Sequence, residues 1–155
     1  MIENVKEYFK KFGIADKIME FDKSTATIEL AAQTIGCETR DIAKSLSFYD
    51  KENNCIMVIT DGDKKINNKK YKTTFGLKAK MLSFEDVPIL TGHEVGGVCP
   101  FAVNKNVKVY LDESLKSHNY VYPACGSHNS AIKLTIPELE KFADNFIGWV
   151  DVTND

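Results

Sequence analysis

The sequence predicts a single α+β domain in which a mixed or strongly curved β-sheet carries helices on its outside. A chain of 155 residues can bury a core large enough to fold alone. No linker rich in proline, glycine or serine divides residues 1–155, and the chain contains no internal repeat. Segments of helical period and short strand-like segments are interspersed, without the regular alternation of strand and helix that builds a parallel sheet.

The first third of the chain is predicted to be mainly helical. Apolar residues recur at helical spacing near the start of the chain, and Gly13 then ends the helix. A short apolar stretch follows at 18–21. A second helix is capped near Thr25 or Thr27, and Gly36 ends it.

The middle third begins with two predicted strands, over 45–48 and 56–60, that a polar turn connects. A lysine-rich helix follows and closes at Gly76. Ser83 and Asp86 have the spacing of a capping box, so we expect a short helix after them.

The last third supplies three predicted strands, over 107–111, 120–122 and 131–134. A final helix opens with Thr135 and Glu138 as a second capping box, with a proline inside its first turn.

The composition indicates a cytoplasmic protein that does not associate with a membrane. The longest apolar stretches fall far short of the roughly 20 residues that a membrane-spanning helix needs. The first residues carry acidic side chains and no apolar run follows them, so we expect no signal peptide.

The cysteines of the chain are widely scattered. No two form a CxxC pair and no histidine lies at a zinc-ligand spacing, so we expect reduced thiols, no metal site and no cofactor. Cys99 lies in the most unusual loop and is the candidate for a thiol-dependent activity, although no clear base stands beside it in the sequence. The four residues are Cys37, Cys55, Cys99 and Cys125.

The charge of the chain is uneven, although its formal net charge is only −2. Between residues 64 and 84 there are seven lysines and no acidic residue. Such a cluster attracts phosphate groups without reading sequence, but it is also typical of a solvated helix face. The seven are Lys64, Lys65, Lys69, Lys70, Lys72, Lys78 and Lys80.

One lysine stands out from this background. If residues 42–48 are extended, Lys44 shares a face with Ile42, Leu46 and Phe48. A buried ammonium is costly unless it meets a partner or opens into a pocket. The alternative is a strand that begins only at Ser45, with Lys44 pointing to water.

A glycine-rich loop spans residues 92–101 and is a second candidate site. Glycines allow a ligand to approach the backbone closely and leave N–H groups pointing towards it. Pro100 rigidifies the end of the loop, and Phe101 offers an apolar or stacking surface. The spacing matches neither a P-loop nor a dinucleotide fingerprint, which argues against nucleotide triphosphate hydrolysis and hydride transfer.

The third candidate is the polar turn that contains Gly126, Ser127 and His128. A serine beside a histidine is not a catalytic pair here, because adjacent residues on an extended chain point apart and no GxSxG elbow is present. A loop that contacts substrate and a simple hairpin turn both remain compatible with the sequence.

These three segments, in this order, resemble the YbaK/EbsC family of aminoacyl-tRNA deacylases over nearly the whole chain. The most specific mark is the Thr-Gly-x-x-x-Gly-Gly-x-x-Pro-Phe segment. The matching segments are Ala43-Lys44-Ser45-Leu46, Asp61-Gly62-Asp63, Leu90 to Phe101, Asp112-Glu113-Ser114-Leu115, Gly126 and Pro137-Glu138-Leu139. The resemblance implies a curved mixed sheet that approaches a barrel and is flanked by helices.

The resemblance also implies roles for particular residues. Lys44 falls on the essential lysine of the family, which favours the pocket over the solvent-facing alternative. The glycine of the family's third loop falls on Gly126. Many relatives carry an arginine or a small residue just after this glycine, whereas Ser127-His128-Asn129 follows it here. This difference leaves open which amino acid is accepted. The implied substrate-binding residues are Gly96, Gly97, Pro100 and Phe101 in one loop, and Gly126, Ser127 and His128 in the other.

The implied activity is trans-editing, in which the ester of a wrongly charged tRNA is hydrolysed and translation fidelity is maintained. Cysteine, alanine or another small residue on proline tRNA is the usual substrate of the family. The expected partner is the acceptor end of mischarged tRNA; the need for prolyl-tRNA synthetase and the oligomeric state stay open. A substrate group is expected to aid the attack, with His93 or His128 as the alternatives in the protein. The competing hypothesis is a non-catalytic module of the same fold that binds tRNA or a nucleotide.

Overall fold

A six-stranded mixed sheet, curled into a half-barrel, forms the centre of the fold. The computed structural model describes all 155 residues. The strands are β1 Met19–Glu20, β2 Ile42–Tyr49, β3 Cys55–Asp61, β4 Val107–Asp112, β5 Tyr120–Pro123, β6 Ser130–Ala131, β7 Leu134–Thr135 and β8 Phe146–Val150. The α-helices are α1 Ile2–Lys10, α2 Ile28–Ile35, α3 Asn68–Phe75, α4 Asp86–Thr91 and α5 Ile136–Phe142. None of these helices is long and apolar enough to cross a membrane.

The strand order of the main sheet is β7-β5-β2-β3-β4-β8. β2 and β3 form an antiparallel hairpin, whereas β3–β4, β4–β8 and β2–β5 are parallel pairs and β5–β7 is antiparallel. β1 and β6 pair in a separate two-stranded sheet. The predicted α+β class with a curved mixed sheet is therefore confirmed.

The helix ends follow the capping signals in the sequence. The Thr27 side chain accepts a hydrogen bond from the backbone N–H of Leu30, and Gly36 ends α2 with a left-handed φ of 85°. A full capping box between Thr135 and Glu138 opens α5. Ser83 lies outside α4, but its hydroxyl accepts from the N–H of Asp86 at 3.3 Å and so performs the expected function.

Three strand predictions differ from the structure. β2 begins at Ile42 and not at Ser45, because its first two residues pair with the parallel strand β5. The single strand expected over 131–134 is split between β6 and β7, which pair with different strands. β8 was not predicted at all: it is a short, half-exposed strand that pairs on one side only, with β4, and contains Gly148.

The two faces of β2 pack against different parts of the molecule. Its inner face contributes Ala43 to the main core. On its outer face Ile42 packs with the residues of α2, whereas Leu46 and Phe48 pack with Tyr71 of α3. The outer face of β2 therefore contacts α2 at residue 42 and α3 from residue 46 onwards. Lys44 lies in the gap between these two helices.

Candidate active site

A cavity of about 390 Å³ lies between α2, β2 and the glycine-rich loop. Eleven of its eighteen lining residues are hydrophobic, so it suits a small group that is mainly apolar. Its charged lining residues are Lys44 and Glu29. The apolar wall comes from Ile28, Ala31, Ile35, Ile42, Val98, Tyr122 and Ala124, among others.

Lys44 is half-buried at the edge of this cavity, as the extended alternative predicted. Its Nζ donates a hydrogen bond to the carbonyl oxygen of Lys64. Burial lowers the pKa of the Lys44 ammonium, and the carboxylates of Asp61 and Asp63 oppose that shift. An ammonium has three donors, so one bond to a carbonyl leaves two N–H groups for a ligand.

The buried side chain of His118 stabilises the turn at residues 61–63, which precedes the hydrogen-bond acceptor of Lys44. The two ring nitrogens of His118 lie 2.6 Å from Asp61 Oδ2 and 3.2 Å from Asp41 Oδ1. Each ring nitrogen of His118 therefore faces a carboxylate oxygen within hydrogen-bonding distance. Asp61 Oδ1 also accepts from the N–H of Asp63 at 2.8 Å. The network thus fixes the turn whose next residue, Lys64, receives the Lys44 ammonium.

Gly96 and Gly97 have different functions in the glycine-rich loop. Gly96 lines the cavity with a φ of 89°, a conformation that side-chain-bearing residues rarely adopt. A Cβ on Gly97 would lie 2.4 Å from the backbone nitrogen of Ser127, so only glycine fits there. The N–H of Gly126 donates to the Gly97 carbonyl at 2.9 Å and ties the two predicted substrate loops together.

The backbone donors of this loop are not equally available. The N–H of Gly97 already donates to the Glu94 carbonyl at 3.0 Å. The N–H groups of Gly96 and Val98 have no acceptor in the protein, and both residues line the cavity. A carbonyl or oxyanion in the cavity therefore has the N–H groups of Gly96 and Val98 as its candidate backbone donors, because the N–H of Gly97 is already occupied.

The predicted loop residues Gly126, Ser127 and His128 do not line the cavity. The Ser127 hydroxyl is buried and bonds to the hydroxyl of Ser130 at 2.7 Å. His128 is exposed, and its ring lies 3.2 Å from Glu94 Oε1. Gly126 packs against the backbone of Met1, where a Cβ would lie 2.7 Å from the carbonyl carbon. Of the predicted site residues, the cavity brings together Lys44 and Gly96.

The predicted stacking surface at Phe101 is not present at the cavity. Phe101 is fully buried, and its ring packs on Phe9 of α1 with centroids 4.7 Å apart. Pro100 is buried beside it, and its carbonyl accepts from the N–H of Asp144 at 2.7 Å. Pro100 and Phe101 are therefore buried in the protein and do not form a surface at the cavity.

His93 and Cys99 form a buried pair, also away from the cavity. His93 Nε2 lies 2.7 Å from the Phe101 carbonyl and 3.4 Å from Cys99 Sγ. Burial raises the pKa of the Cys99 thiol to about 12, which keeps the sulfur protonated. The structure thus places a base beside Cys99, but in a dry position that offers no thiolate. A thiol-dependent activity has no support here, and His93 does not reach a substrate.

His93 is expected to make the protein acid-sensitive. Burial lowers its pKa to about 4, because its Nδ1 is enclosed without a partner and protonation would strand a charge there. The unfolded chain binds this proton first, so stability falls as the pH drops from about 6.5 towards 4. The expected loss from His93 is about 2 kcal/mol of unfolding free energy between pH 7 and pH 5.

Urea unfolding at both pH values measures this effect in the natural protein and in His93→Gln, which keeps a donor for the Phe101 carbonyl. The variant should lose less stability between pH 7 and pH 5 than the natural protein. Equal losses in the two proteins would show that His93 is not the titrating group.

The sequence did not identify the α2 wall of the cavity. Ile28, Ala31 and Ile35 follow helical spacing, which in the sequence indicates only one apolar side of α2. Tyr122 was likewise assigned to a strand without a functional role. Apolar pocket walls and apolar cores have the same periodicity, so only the tertiary structure separates them. No group of three or more histidine, cysteine, aspartate or glutamate side chains is placed to hold a metal ion.

A mainly apolar cavity lined by one lysine and by two residues whose N–H groups have no acceptor in the protein suits a small side chain beside a polar group. The chain belongs to the aminoacyl-tRNA editing domain family, whose model matches residues 22–142. The resemblance to YbaK/EbsC proteins that the sequence indicated is thereby confirmed.

Individual relatives support the same assignment. The chain is 47% identical over 154 residues to the uncharacterized protein YwhH of Bacillus subtilis, covering 99% of this chain and 98% of YwhH. It is 24% identical to EbsC of Enterococcus faecalis, a proposed Cys-tRNA(Pro)/Cys-tRNA(Cys) deacylase, over 86% of this chain and 79% of EbsC. The crystal structure of a proposed trans-editing enzyme for prolyl-tRNA synthetase superposes with a TM-score of 0.86 at 27% identity, covering 99% of this chain and 97% of that one.

Proposed function

We propose that this protein is a trans-editing deacylase that hydrolyses the ester bond between a small amino acid and a mischarged tRNA. The observation that carries the proposal is the joint placement of the Lys44 ammonium and the free N–H groups of Gly96 and Val98 on one small, mainly apolar cavity. An aminoacyl ester presents the matching chemistry: a short side chain, an ester carbonyl, and a ribose close to phosphates.

In the proposed reaction, water adds to the ester carbonyl and the bond from that carbon to the ribose oxygen breaks. The products are the free amino acid and the tRNA with its hydroxyl restored. The N–H groups of Gly96 and Val98 stabilise the developing oxyanion; a well-aimed donor of this kind contributes about 3 kcal/mol. Lys44 binds the ribose or the terminal phosphate and orients the ester against these donors.

Neither His93 nor His128 is placed as the general base. His93 is buried away from the cavity, and His128 is paired with Glu94 at the surface. We propose that a substrate group, such as the neighbouring ribose hydroxyl or the thiol of a cysteinyl group, aids the attack of water. The other predicted loop residues then act by holding the glycine loop: Gly97, Pro100, Phe101, Gly126, Ser127 and His128.

The size and lining of the cavity favour a small amino acid. Cysteine and alanine fit an apolar wall of isoleucine, valine and alanine side chains, whereas a long charged side chain would be left without a partner. EbsC is a proposed deacylase of Cys-tRNA(Pro), and the structural relative is a proposed trans-editing enzyme for prolyl-tRNA synthetase. We therefore propose proline tRNA as the carrier and prolyl-tRNA synthetase as an associated protein.

A panel of correctly and wrongly charged tRNAs, each with a labelled amino acid, tests the proposal. The natural protein should release cysteine or alanine from proline tRNA and leave correctly charged prolyl-tRNA intact. The panel is run with and without prolyl-tRNA synthetase to test the partner. If no charged tRNA is hydrolysed under either condition, the enzymatic proposal fails, and a non-catalytic tRNA-binding module of the same fold becomes the better hypothesis.

A further inference from the structure

A second cavity, of about 310 Å³, lies on the other side of Lys44. It is formed between the outer face of β2 and the chain around the start of α3. Lys44 and Leu46 line both cavities, so the two share a wall at the lysine. Apolar side chains form most of the second cavity: Leu46, Phe48, Ile66, Ala79 and Met81.

The surroundings of this second cavity are strongly basic. Lys65 lines it, and it lies within the segment 64–80 that holds seven lysines and no acidic residue. Lys70 is already neutralised by Asp151 at 3.1 Å and Asp155 at 3.0 Å. Lys65, Lys69, Lys72 and Lys78 are exposed and form no ion pair, so positive charge is available beside an apolar hollow.

We propose that this second cavity binds the base of the terminal adenosine of tRNA while the lysines beside it bind the neighbouring phosphates. A mainly apolar cavity with a basic edge fits a nucleotide of a single strand, because the base needs an apolar surface and the backbone needs cations. Asn68 at the same cavity supplies an amide that can hydrogen-bond to a base edge. The inference rests on the proposed function and adds the position of the nucleotide to it.

Because the two cavities share a wall, they can hold successive parts of one substrate. With the amino acid in the first cavity and the ester beside Lys44, the ribose lies at the lysine and the base continues into the adjoining cavity. The first cavity is a poor place for the phosphates, since its other charged residue is the acid Glu29. The charge of the protein therefore separates an amino-acid side from a nucleotide side.

Binding of an uncharged RNA oligonucleotide that ends in CCA tests this inference without any hydrolysis. The 5′-labelled oligonucleotide is titrated with the natural protein, with Met81→Glu and with Lys65→Glu, and fluorescence anisotropy gives each Kd. Both side chains are exposed, so both variants should fold, and circular dichroism checks this. Ile147→Glu and Lys11→Glu are the matched controls, because they make the same changes at exposed positions away from the second cavity.

Met81→Glu and Lys65→Glu should each weaken binding at least about tenfold, the effect of losing one stacked base or its phosphate contacts, while each control stays within about twofold. A second oligonucleotide lacks the base of its terminal nucleotide. The natural protein should bind this abasic oligonucleotide about tenfold more weakly than the complete one. Met81→Glu should bind the two oligonucleotides equally well.

The proposal is overturned if Met81→Glu behaves like Ile147→Glu, or if the natural protein binds the abasic oligonucleotide as tightly as the complete one. An effect of Lys65→Glu alone would mean that the lysines bind phosphates and the cavity binds no base, which also overturns it. Because the RNA carries no ester, a failure of the deacylase proposal shows only in the charged-tRNA panel and is distinguished from a failure here.

Discussion

Lys44→Ala is expected to lower kcat/KM for release of the amino acid from mischarged tRNA at least about 100-fold. The ammonium is the one cation that lines the amino-acid cavity, and two of its three donors are free to orient the substrate. Its pKa is lowered by burial, so the folded protein already bears a cost to keep the charge there. We therefore expect the loss of activity to occur without a loss of stability.

Two companion variants separate the charge of Lys44 from its packing. Lys44→Met keeps an unbranched side chain in the gap between α2 and α3 and removes only the ammonium. It should be as inactive as Lys44→Ala in single-turnover hydrolysis, with a thermal unfolding midpoint at or above that of the natural protein. Lys11→Ala, at an exposed lysine that lines neither cavity, is the control for a general loss of positive charge. Retention of activity within a few-fold in Lys44→Met would remove the ammonium from the mechanism.

The sequence was informative wherever a local signal decides the structure. Thr27, Gly36 and the capping box at Thr135 marked helix ends correctly because a cap depends on residues within a few positions of one another. The position of Lys44 on the apolar face followed from the period of an extended strand. The sequence does not predict β8, because the pairing of this strand with β4 is long-range and its half-exposed residues show no alternation of apolar and polar side chains.

In the candidate site, too, the sequence predicts local features but not those that depend on tertiary packing. Glycine at position 97 is required by the backbone of residues 126–127, which lies thirty positions away in the sequence. The direction in which each N–H of the loop points depends on that packing, so the sequence could not distinguish the occupied donor of Gly97 from the free donor of Val98. Motifs thus located the loop, and only the structure identifies its available atoms.

Asp61→Ala is expected to lower the free energy of unfolding by roughly 2–3 kcal/mol, the cost of leaving buried hydrogen-bonding groups without their partner. Asp61 is almost fully buried, and its carboxylate lies 2.6 Å from His118 Nε2. Its removal leaves the enclosed His118 ring with Asp41 alone, at 3.2 Å. The same substitution also removes the acceptor for the N–H of Asp63.

Asp41→Ala is the matched control, since it removes the more exposed and more distant carboxylate from the same histidine. We expect it to cost clearly less than Asp61→Ala when both are measured by urea unfolding at pH 7. Adding His118→Leu to Asp61→Ala should restore part of the lost stability, because an apolar side chain then replaces the ring nitrogen that has lost its partner.

The effect of Asp61 should extend to activity, because the turn that it fixes presents the Lys64 carbonyl to Lys44. At a temperature where Asp61→Ala is fully folded, kcat should fall more than KM rises, since a displaced ammonium still attracts the tRNA but no longer orients the ester. Equal unfolding free energies for the two aspartate variants, or full activity in folded Asp61→Ala, would show that the His118 network does not position Lys44.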